Sequence, residues 1–229
     1  SIGGQFIESP VNAEVASGTA LTVDLTANNT DDNNTAFSLQ NAMVVSGEYV
    51  TTVHGALFPH IDVVFPSSGG SYYDGTDLQV DGGDRWDWDV MLHEYGHYVM
   101  DKLDIEDNPG GEHSSSANLP VSRGSKAVGI PLAWGEGWPT FFAVSLQQEM
   151  GAAALNIPNI GDTRYQDTED QEIDEDLETG GTLGEDNELT VMSILWDLFD
   201  GADDGLDHVA LGSTAIWNTL DANDPTSLS

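Results

Sequence analysis

The chain has 229 residues, of which 5 are Lys or Arg and 40 are Asp or Glu, so its formal net charge is −35. This charge argues against nucleic acid and anionic membranes as partners, because both are themselves negative. The chain contains no cysteine. Disulfides, thiolate metal sites and cysteine nucleophiles are therefore excluded, and any bound metal must be held by His, Asp or Glu.

The remaining composition is that of a folded protein. Hydrophobic residues make up 39% of the chain, and six Trp, six Tyr and seven Phe are spread along it. A disordered acidic tail would lack these anchors. No run approaches the roughly 18 apolar residues of a membrane helix, so we expect no membrane insertion. The chain begins at Ser1 without a leader pattern, so either a leader or pro-segment has been removed or the chain has been trimmed.

The first third of the chain combines β-prone stretches with one helix. Ala36–Val53 has apolar residues at helical spacing, and Ile61–Phe65 is a compact apolar strand that ends at Pro66. Tyr72–Val80 is a second predicted strand. The residues before them are interpreted as two short β-prone stretches, Gln5–Glu8 and Ala20–Leu25, and a polar loop, Asn28–Thr35.

The rest of the chain is predicted to be mainly helical. We expect helices over Trp86–Leu103, Glu136–Met150, Glu188–Phe199 and Val209–Leu220, a polar loop over Asp104–Gly129, and an acidic surface excursion over residues 160–188. Few strands followed by several helices indicate an α+β fold with a small N-terminal mixed sheet and a mainly helical C-terminal part. The length suits a single domain, 1–229, in which lobes 1–103 and 104–229 could flank a cleft.

The sequence His93-Glu94-Tyr95-Gly96-His97 lies inside the helix predicted over Trp86–Leu103. Residues four apart project from one helical face, so both imidazoles can reach one metal ion at about 2 Å. Glu94 lies beside them, where it can take a proton from the water that the metal activates. The pattern predicts a zinc site with Glu94 as general base. The alternative is a helix whose two histidines are half-buried or surface groups.

A catalytic zinc requires a third protein ligand and an open position for water. The metzincin pattern is excluded because Met100 and Leu103 stand where it requires Gly and His. His113 could be the ligand, but it lies in a polar loop. Glu136 is the better candidate: Pro139 is tolerated in a first helical turn, which predicts a helix start near Glu136. Its alternative role is that of an N-terminal Glu favoured by the helix dipole.

Three segments resemble the gluzincins, especially the fungalysin-type and thermolysin-like peptidases. These are the H-E-Y-G-H segment, the stretch Gly135-Glu136-Gly137-Trp138-Pro139 that continues through Phe142, and the stretch Met192–Phe199. The resemblance covers about a quarter of the chain. It implies a zincin-like fold, one catalytic zinc bound by His93, His97 and Glu136, and hydrolysis of peptide bonds. It also implies an edge strand beside the cleft that pairs with an extended peptide or protein substrate, for which Tyr72–Val80 is the candidate.

Two departures from the resembling family concern residues around the metal. Gluzincins place an Asp four residues after the ligand Glu to orient a metal-binding His, and Thr140 stands there. We expect Thr140 or a water to take this role, unless Asp197 has moved in. The family also uses a later His or Tyr to stabilise the oxyanion, and His208 and Tyr165 are the candidates here.

Two acidic loops are candidates for calcium, the further cofactor that we consider. Asp200–Asp207 has the carboxylate density of a calcium loop but fails the EF-hand spacing at Ala202. Asp167–Glu188 is richer still in carboxylates. The alternative for both is a solvated acidic surface.

The preferred function is a secreted zinc endopeptidase. Its rivals are a zincin-like zinc-binding module with little or no turnover and a calcium-stabilised surface or adhesion domain.

The net charge predicts a halophilic or marine protein that depends on salt; the alternative is an ordinary secreted protein that binds several calcium ions. Repulsion among carboxylates opposes compaction at low ionic strength, whereas about 1 M salt shortens the Debye length to roughly 3 Å. Dialysis from molar to millimolar salt with chelator present should expand or unfold the chain, as followed by circular dichroism. Added calcium should restore structure if it neutralises local clusters. An unchanged melting temperature across this range would contradict the prediction.

Overall fold

The computed structural model describes residues 32–114, 116–151, 184–201, 209–223 and 225–227. The β-prone stretches Gln5–Glu8 and Ala20–Leu25 lie outside the described residues, as does the acidic excursion up to residue 183. Within the described part, the fold is α+β, with a small mixed sheet and mainly helical content, as the sequence predicted.

The sheet has three strands in the described residues, in the order β1-β3-β2. Strand β1 pairs parallel with β3, and β2 pairs antiparallel with β3. The single strand predicted over Tyr72–Val80 is divided, because the Asp74 side chain accepts the backbone N–H groups of Thr76 and Asp77 and makes a turn. The strands are β1, Val63–Ser67; β2, Tyr72–Tyr73; and β3, Leu78–Asp81.

Six helices are described: α1, Asp32–His54; α2, Trp88–Leu103; α3, Leu119–Ser122; α4, Lys126–Met150; α5, Glu188–Phe199; and α6, Gly212–Asn223. Helix α1 begins at Asp32, inside the stretch predicted as a loop. Helix α2 begins after Asp87, whose side chain accepts the N–H of Val90 as an N-cap. None of the helices in the described part of the chain combines the length and apolar character that a membrane crossing requires.

Helix α4 begins ten residues before the predicted start at Glu136, so that boundary was wrong. Ser125 caps it, Gly151 ends it in a left-handed conformation, and both Pro131 and Pro139 lie inside it. An interior proline costs about 3 kcal/mol or more in an exposed helix. Every residue from 132 to 139 is buried, which is typical of a central helix and offsets that cost through packing. Glu136 is therefore a mid-helix residue, and the helix-dipole explanation for it falls away.

Small residues let α2 and α5 approach α4 closely from two sides. A Cβ atom at Gly96 of α2 would lie 2.8 Å from Cα of Pro139. A Cβ atom at Gly137 would lie 2.7 Å from Cβ of Val191 and 2.8 Å from the backbone oxygen of Glu188, both on α5. Real Cβ atoms cannot approach this closely, so Gly96 and Gly137 are explained by helix packing.

An aromatic cluster fixes the far side of α4. The Trp138 ring lies 5.6 Å from the Phe142 ring and 5.8 Å from the Trp217 ring of α6. Tyr49 of α1 packs edge-on against Phe142, and its hydroxyl hydrogen-bonds with Ser145 and Ser213. These contacts join α1 and α6 to α4 and hold the central helix in place.

Candidate metal centre

Helices α2 and α4 bring two imidazoles and one carboxylate together where they cross. The Nε2 atoms of His93 and His97 each lie 3.3 Å from Oε2 of Glu136. One ligand atom from each of these three residues lies within 4.8 Å of the others. The close packing of Gly96 on Pro139 makes this possible, because it places successive turns of α2 directly against the turn of α4 that carries Glu136.

These separations fit a tetrahedral divalent ion. Zinc binds imidazole nitrogen and carboxylate oxygen at about 2.0–2.2 Å, so two tetrahedral ligand atoms lie roughly 3.4 Å apart. The two recorded nitrogen–oxygen distances of 3.3 Å match this value. The donor set of two neutral nitrogens and one carboxylate oxygen is also the one found in catalytic zinc sites that keep an open position.

The three side chains are shielded but remain accessible. The side chains of His93, His97 and Glu136 are 22%, 12% and 9% exposed. Burial disfavours ionised Glu136, but hydrogen bonds and charge from both histidines outweigh burial and lower its pKa. Burial likewise opposes protonation of His97, whereas Glu136 and two further carboxylates raise the pKa of its imidazole to about 9. The carboxylates around His97 thus favour positive charge at this point. A divalent cation would supply that charge in place of the proton on His97.

Thr140 lies against the first histidine of the motif. Its Oγ1 is 2.9 Å from Nδ1 of His93 and 3.3 Å from the backbone oxygen of Glu136. If the hydroxyl donates to that backbone oxygen, its lone pair can accept the N–H of His93 Nδ1. This leaves His93 Nε2 unprotonated toward Glu136, in the tautomer that a metal requires. Asp197, the other residue considered for this role, is half-buried on α5.

Glu106 faces the second histidine, and sequence reasoning missed it. Its Oε1 lies 3.9 Å from Nδ1 of His97, and burial raises the pKa of its carboxyl group. This distance exceeds that of a direct hydrogen bond, so Glu106 acts on His97 through its charge. Glu106 lies in the loop that follows α2, where no periodic pattern marks a side chain as facing the site.

Asn108, in the same loop, binds the second carboxylate oxygen of Glu136. Its Nδ2 donates to Oε1 at 2.8 Å, while Oε2 faces the two histidines. A Cβ atom at Gly135 would lie 2.6 Å from Nδ2 of Asn108, so the first glycine of the Gly-Glu-Gly-Trp motif makes room for this contact. The sequence Asn108-Pro109-Gly110 signals a turn, but it does not show that the amide reaches Glu136.

His113 borders the three-residue group without being one of its members. Its Nδ1 lies 2.9 Å from Oε1 of Glu188, and its Nε2 lies 3.8 Å from Oε1 of Glu136. The hydrogen bond to Glu188 raises the pKa of the His113 imidazole. This arrangement directs the second ring nitrogen toward the centre, where it can hydrogen-bond with Glu136 or with a bound molecule.

Glu94 is held beside the centre by the backbone of the sheet. Its Oε2 accepts the N–H of Tyr73 at 3.0 Å. Because the strand order is β1-β3-β2, Tyr73 of β2 belongs to one of the two edge strands of the described sheet. Burial raises the pKa of the Glu94 carboxyl, against the lowering effect of His93 and His97. A raised pKa favours a carboxylate that can hold a proton as well as release it, and the Tyr73 N–H group fixes its position.

A polar cavity of about 350 Å³ lies beside this centre. Its lining joins Tyr73 of the edge strand to Glu106 and Asn108, the residues that contact His97 and Glu136. A larger groove of about 900 Å³, mainly apolar, lies between α1 and the loop near Phe58. None of the three candidate ligands lines either cavity, but residues that face His97 and Glu136 line the smaller one.

Several predicted site residues lie outside the described part of the chain. They are Tyr165 and His208, the two oxyanion candidates, most of the acidic loop Asp167–Glu188, and most of Asp200–Asp207. The oxyanion and calcium predictions remain predictions.

Comparison with known protein families gives one match. The family model described as the Mycolysin C-terminal domain matches residues 61–222, which is more than half of the chain. The chain belongs to this family. No curated protein and no solved structure matched it.

The Mycolysin C-terminal domain is a domain of fungalysin-type metallopeptidases, and domains of this family belong to secreted proteases. The matched region begins just before β1 and ends in α6, so it includes the two motif helices and the loop between them. The family and the His-His-Glu group together support a metal-binding, protease-associated domain.

The contact between Thr140 and His93 predicts a role in metal retention. Thr140→Val keeps the shape of the side chain but removes the hydroxyl, and should weaken zinc binding about tenfold or more. Thr140→Ser keeps the hydroxyl and should bind zinc like the unchanged chain. Zinc content after equilibration with graded chelator measures both. Equal retention by the Val variant would show that Thr140 does not orient His93.

Proposed function

We propose that this chain is a zinc-dependent endopeptidase domain that hydrolyses peptide bonds in peptide or protein substrates. The observation that carries the proposal is the convergence of His93, His97 and Glu136 beside a separately held carboxylate, Glu94. Three ligands leave a fourth position open, and a carboxylate outside the ligand set is free to transfer protons. Membership in a family of metallopeptidase domains supports the same conclusion.

In the proposed mechanism, Glu94 is the general base. A zinc ion held by the three ligands would polarise the scissile carbonyl and lower the pKa of the attacking water. Glu94 accepts the proton of that water and then delivers it to the leaving amine. Burial favours the protonated form that this second step requires, and the N–H of Tyr73 fixes the carboxylate in position. Thr140 holds His93 in the tautomer that leaves Nε2 available.

The substrate is proposed to bind in extended form along the edge strand β2. Tyr72 and Tyr73 form this strand, and Tyr72 is 43% exposed. An extended peptide added to a sheet edge gains backbone hydrogen bonds without requiring a particular side chain. The strand that would bind the peptide also contacts Glu94, so the scissile bond would lie next to the proton-transferring group. His208 and Tyr165 remain the proposed donors to the oxyanion.

The proposed setting is extracellular and saline, with no nucleic-acid partner. Secretion is supported by the family, and the salt requirement by the net charge of −35. Fractionation of the native source tests secretion: the chain is expected in the medium, and confinement to the cells would contradict this. Calcium remains a proposed second cofactor, and its test is the low-salt dialysis with and without calcium described above.

Glu94→Gln tests the mechanism. Glutamine still accepts the Tyr73 N–H through its side-chain oxygen but cannot take a proton. Hydrolysis of casein should therefore fall about 10²–10⁴-fold. Zinc content should stay at one ion per chain, because Glu94 is not a ligand. Glu136→Gln is the matched control, and it should lose zinc and activity together.

The outcomes separate the proposed enzyme from its rivals. Near-normal hydrolysis by Glu94→Gln would reject the mechanism. Zinc binding without hydrolysis in the unchanged chain would favour a zinc-binding module with little turnover, for which Thr140 in place of an Asp is the supporting observation. Absence of zinc from the unchanged chain, after purification and reloading, would favour a calcium-stabilised domain.

A further inference from the structure

We propose that Asn108 is a positioning residue for the metal ligand Glu136, and that Arg123 fixes the loop on which Asn108 lies. The proposal rests on the proposed function in taking Glu136 as a ligand. It adds two residues from outside both sequence motifs, neither of which could bind zinc through its own side chain in this arrangement. Asn108 acts on the carboxylate, and Arg123 acts on the backbone around Asn108.

The two oxygens of Glu136 have different partners. Oε2 lies 3.3 Å from Nε2 of both histidines, whereas Oε1 accepts the Nδ2–H of Asn108 at 2.8 Å. A buried carboxylate oxygen without a donor would favour rotation of the group toward another partner, because leaving it unpaired is costly. Asn108 therefore keeps Oε1 occupied and leaves Oε2 directed at the position where an ion would contact all three ligands.

The orientation of the Asn108 amide is set by a second hydrogen bond. Its Oδ1 accepts the backbone N–H of Gly110 at 2.8 Å. Only an oxygen can accept that N–H, so the amide nitrogen must be the atom facing Glu136. The side chain is thus fixed at both ends, by an Asx turn in its own loop and by the carboxylate of α4.

Arg123 holds the part of the loop that follows Asn108, residues 110–112. Its guanidinium donates to the backbone oxygens of Gly110 and Glu112, each at 3.2 Å. A Cβ atom at Gly111 would lie 2.8 Å from the guanidinium and would also be strained, because φ is +102° there. The chain has only five Lys or Arg residues against forty acidic ones. One of these few cations therefore braces the loop that contains Asn108, through the backbone carbonyls of Gly110 and Glu112.

Asn108→Asp tests the proposal, because it separates the two hydrogen bonds. The aspartate still accepts the N–H of Gly110, so the turn is kept, but it cannot donate to Glu136 and places a second negative charge against Oε1. Zinc affinity in the full chain, measured by competition with a chelator, should fall about 10–100-fold. The absorption bands of bound cobalt should also change, since they report the coordination geometry. Circular dichroism of the metal-free variant should show the same fold, with a lower melting temperature, because the lost hydrogen bond and the added charge both act on a buried carboxylate.

Two further variants make the result decisive. Asn223→Asp introduces the same chemical change at an exposed position on α6 and should leave zinc affinity unchanged. Arg123→Lys keeps the charge but loses the fork of donors, and should weaken zinc binding while Asn108 itself is intact. If Asn108→Asp does not fold, Arg123→Lys decides the question, and unchanged zinc affinity in that variant overturns the proposal.

The outcomes distinguish this inference from the proposed function. If Glu136→Gln retains zinc, the ligand assignment fails and the positioning role fails with it. If Glu136→Gln loses zinc but Asn108→Asp retains it with unchanged affinity and unchanged cobalt bands, only the positioning role is overturned.

Discussion

The close crossing of α2 and α4 at Gly96 and Pro139 places two imidazoles and one carboxylate within reach of a single ion. A side chain at position 96 would meet the backbone of Pro139 and push the helices apart. Because ligand atoms must lie within a few tenths of an ångström of their required positions, such a displacement would dismantle the group. The requirement for glycine at position 96 is therefore one of packing, although its consequence is chemical.

The candidate ligands are oriented by neighbours from three different segments. Thr140, one turn after Glu136 on α4, contacts His93, whereas Glu106 and Asn108 in the loop after α2 face His97 and Glu136. The backbone of β2 holds Glu94. An acidic chain of net charge −35 could present carboxylates to a cation almost anywhere. This site differs from such a surface because its groups are shielded, paired and held in one geometry.

The helical regions and the proximity of the histidines could be predicted from the sequence because both follow from the helical repeat. His97 lies four positions after His93, and apolar residues at helical spacing mark α1. The start of α4 could not be predicted, since Pro139 was interpreted as a first-turn residue and burial of the whole helix was not visible in the pattern. The contacts of Asn108 and Glu106 have no periodic signal, because loop side chains take their direction from tertiary packing. The Asx turn at Asp74 likewise divides the strand that was predicted as continuous over Tyr72–Val80.

Anomalous diffraction recorded on both sides of the zinc absorption edge, from crystals of the zinc-loaded chain, tests the central claim most directly. The account predicts one zinc peak, at about 2.0–2.2 Å from Nε2 of His93, Nε2 of His97 and Oε2 of Glu136, with Glu94 outside the ligand set. A peak at any other group of residues, or a ligand set that includes Glu94 or excludes Glu136, would contradict it.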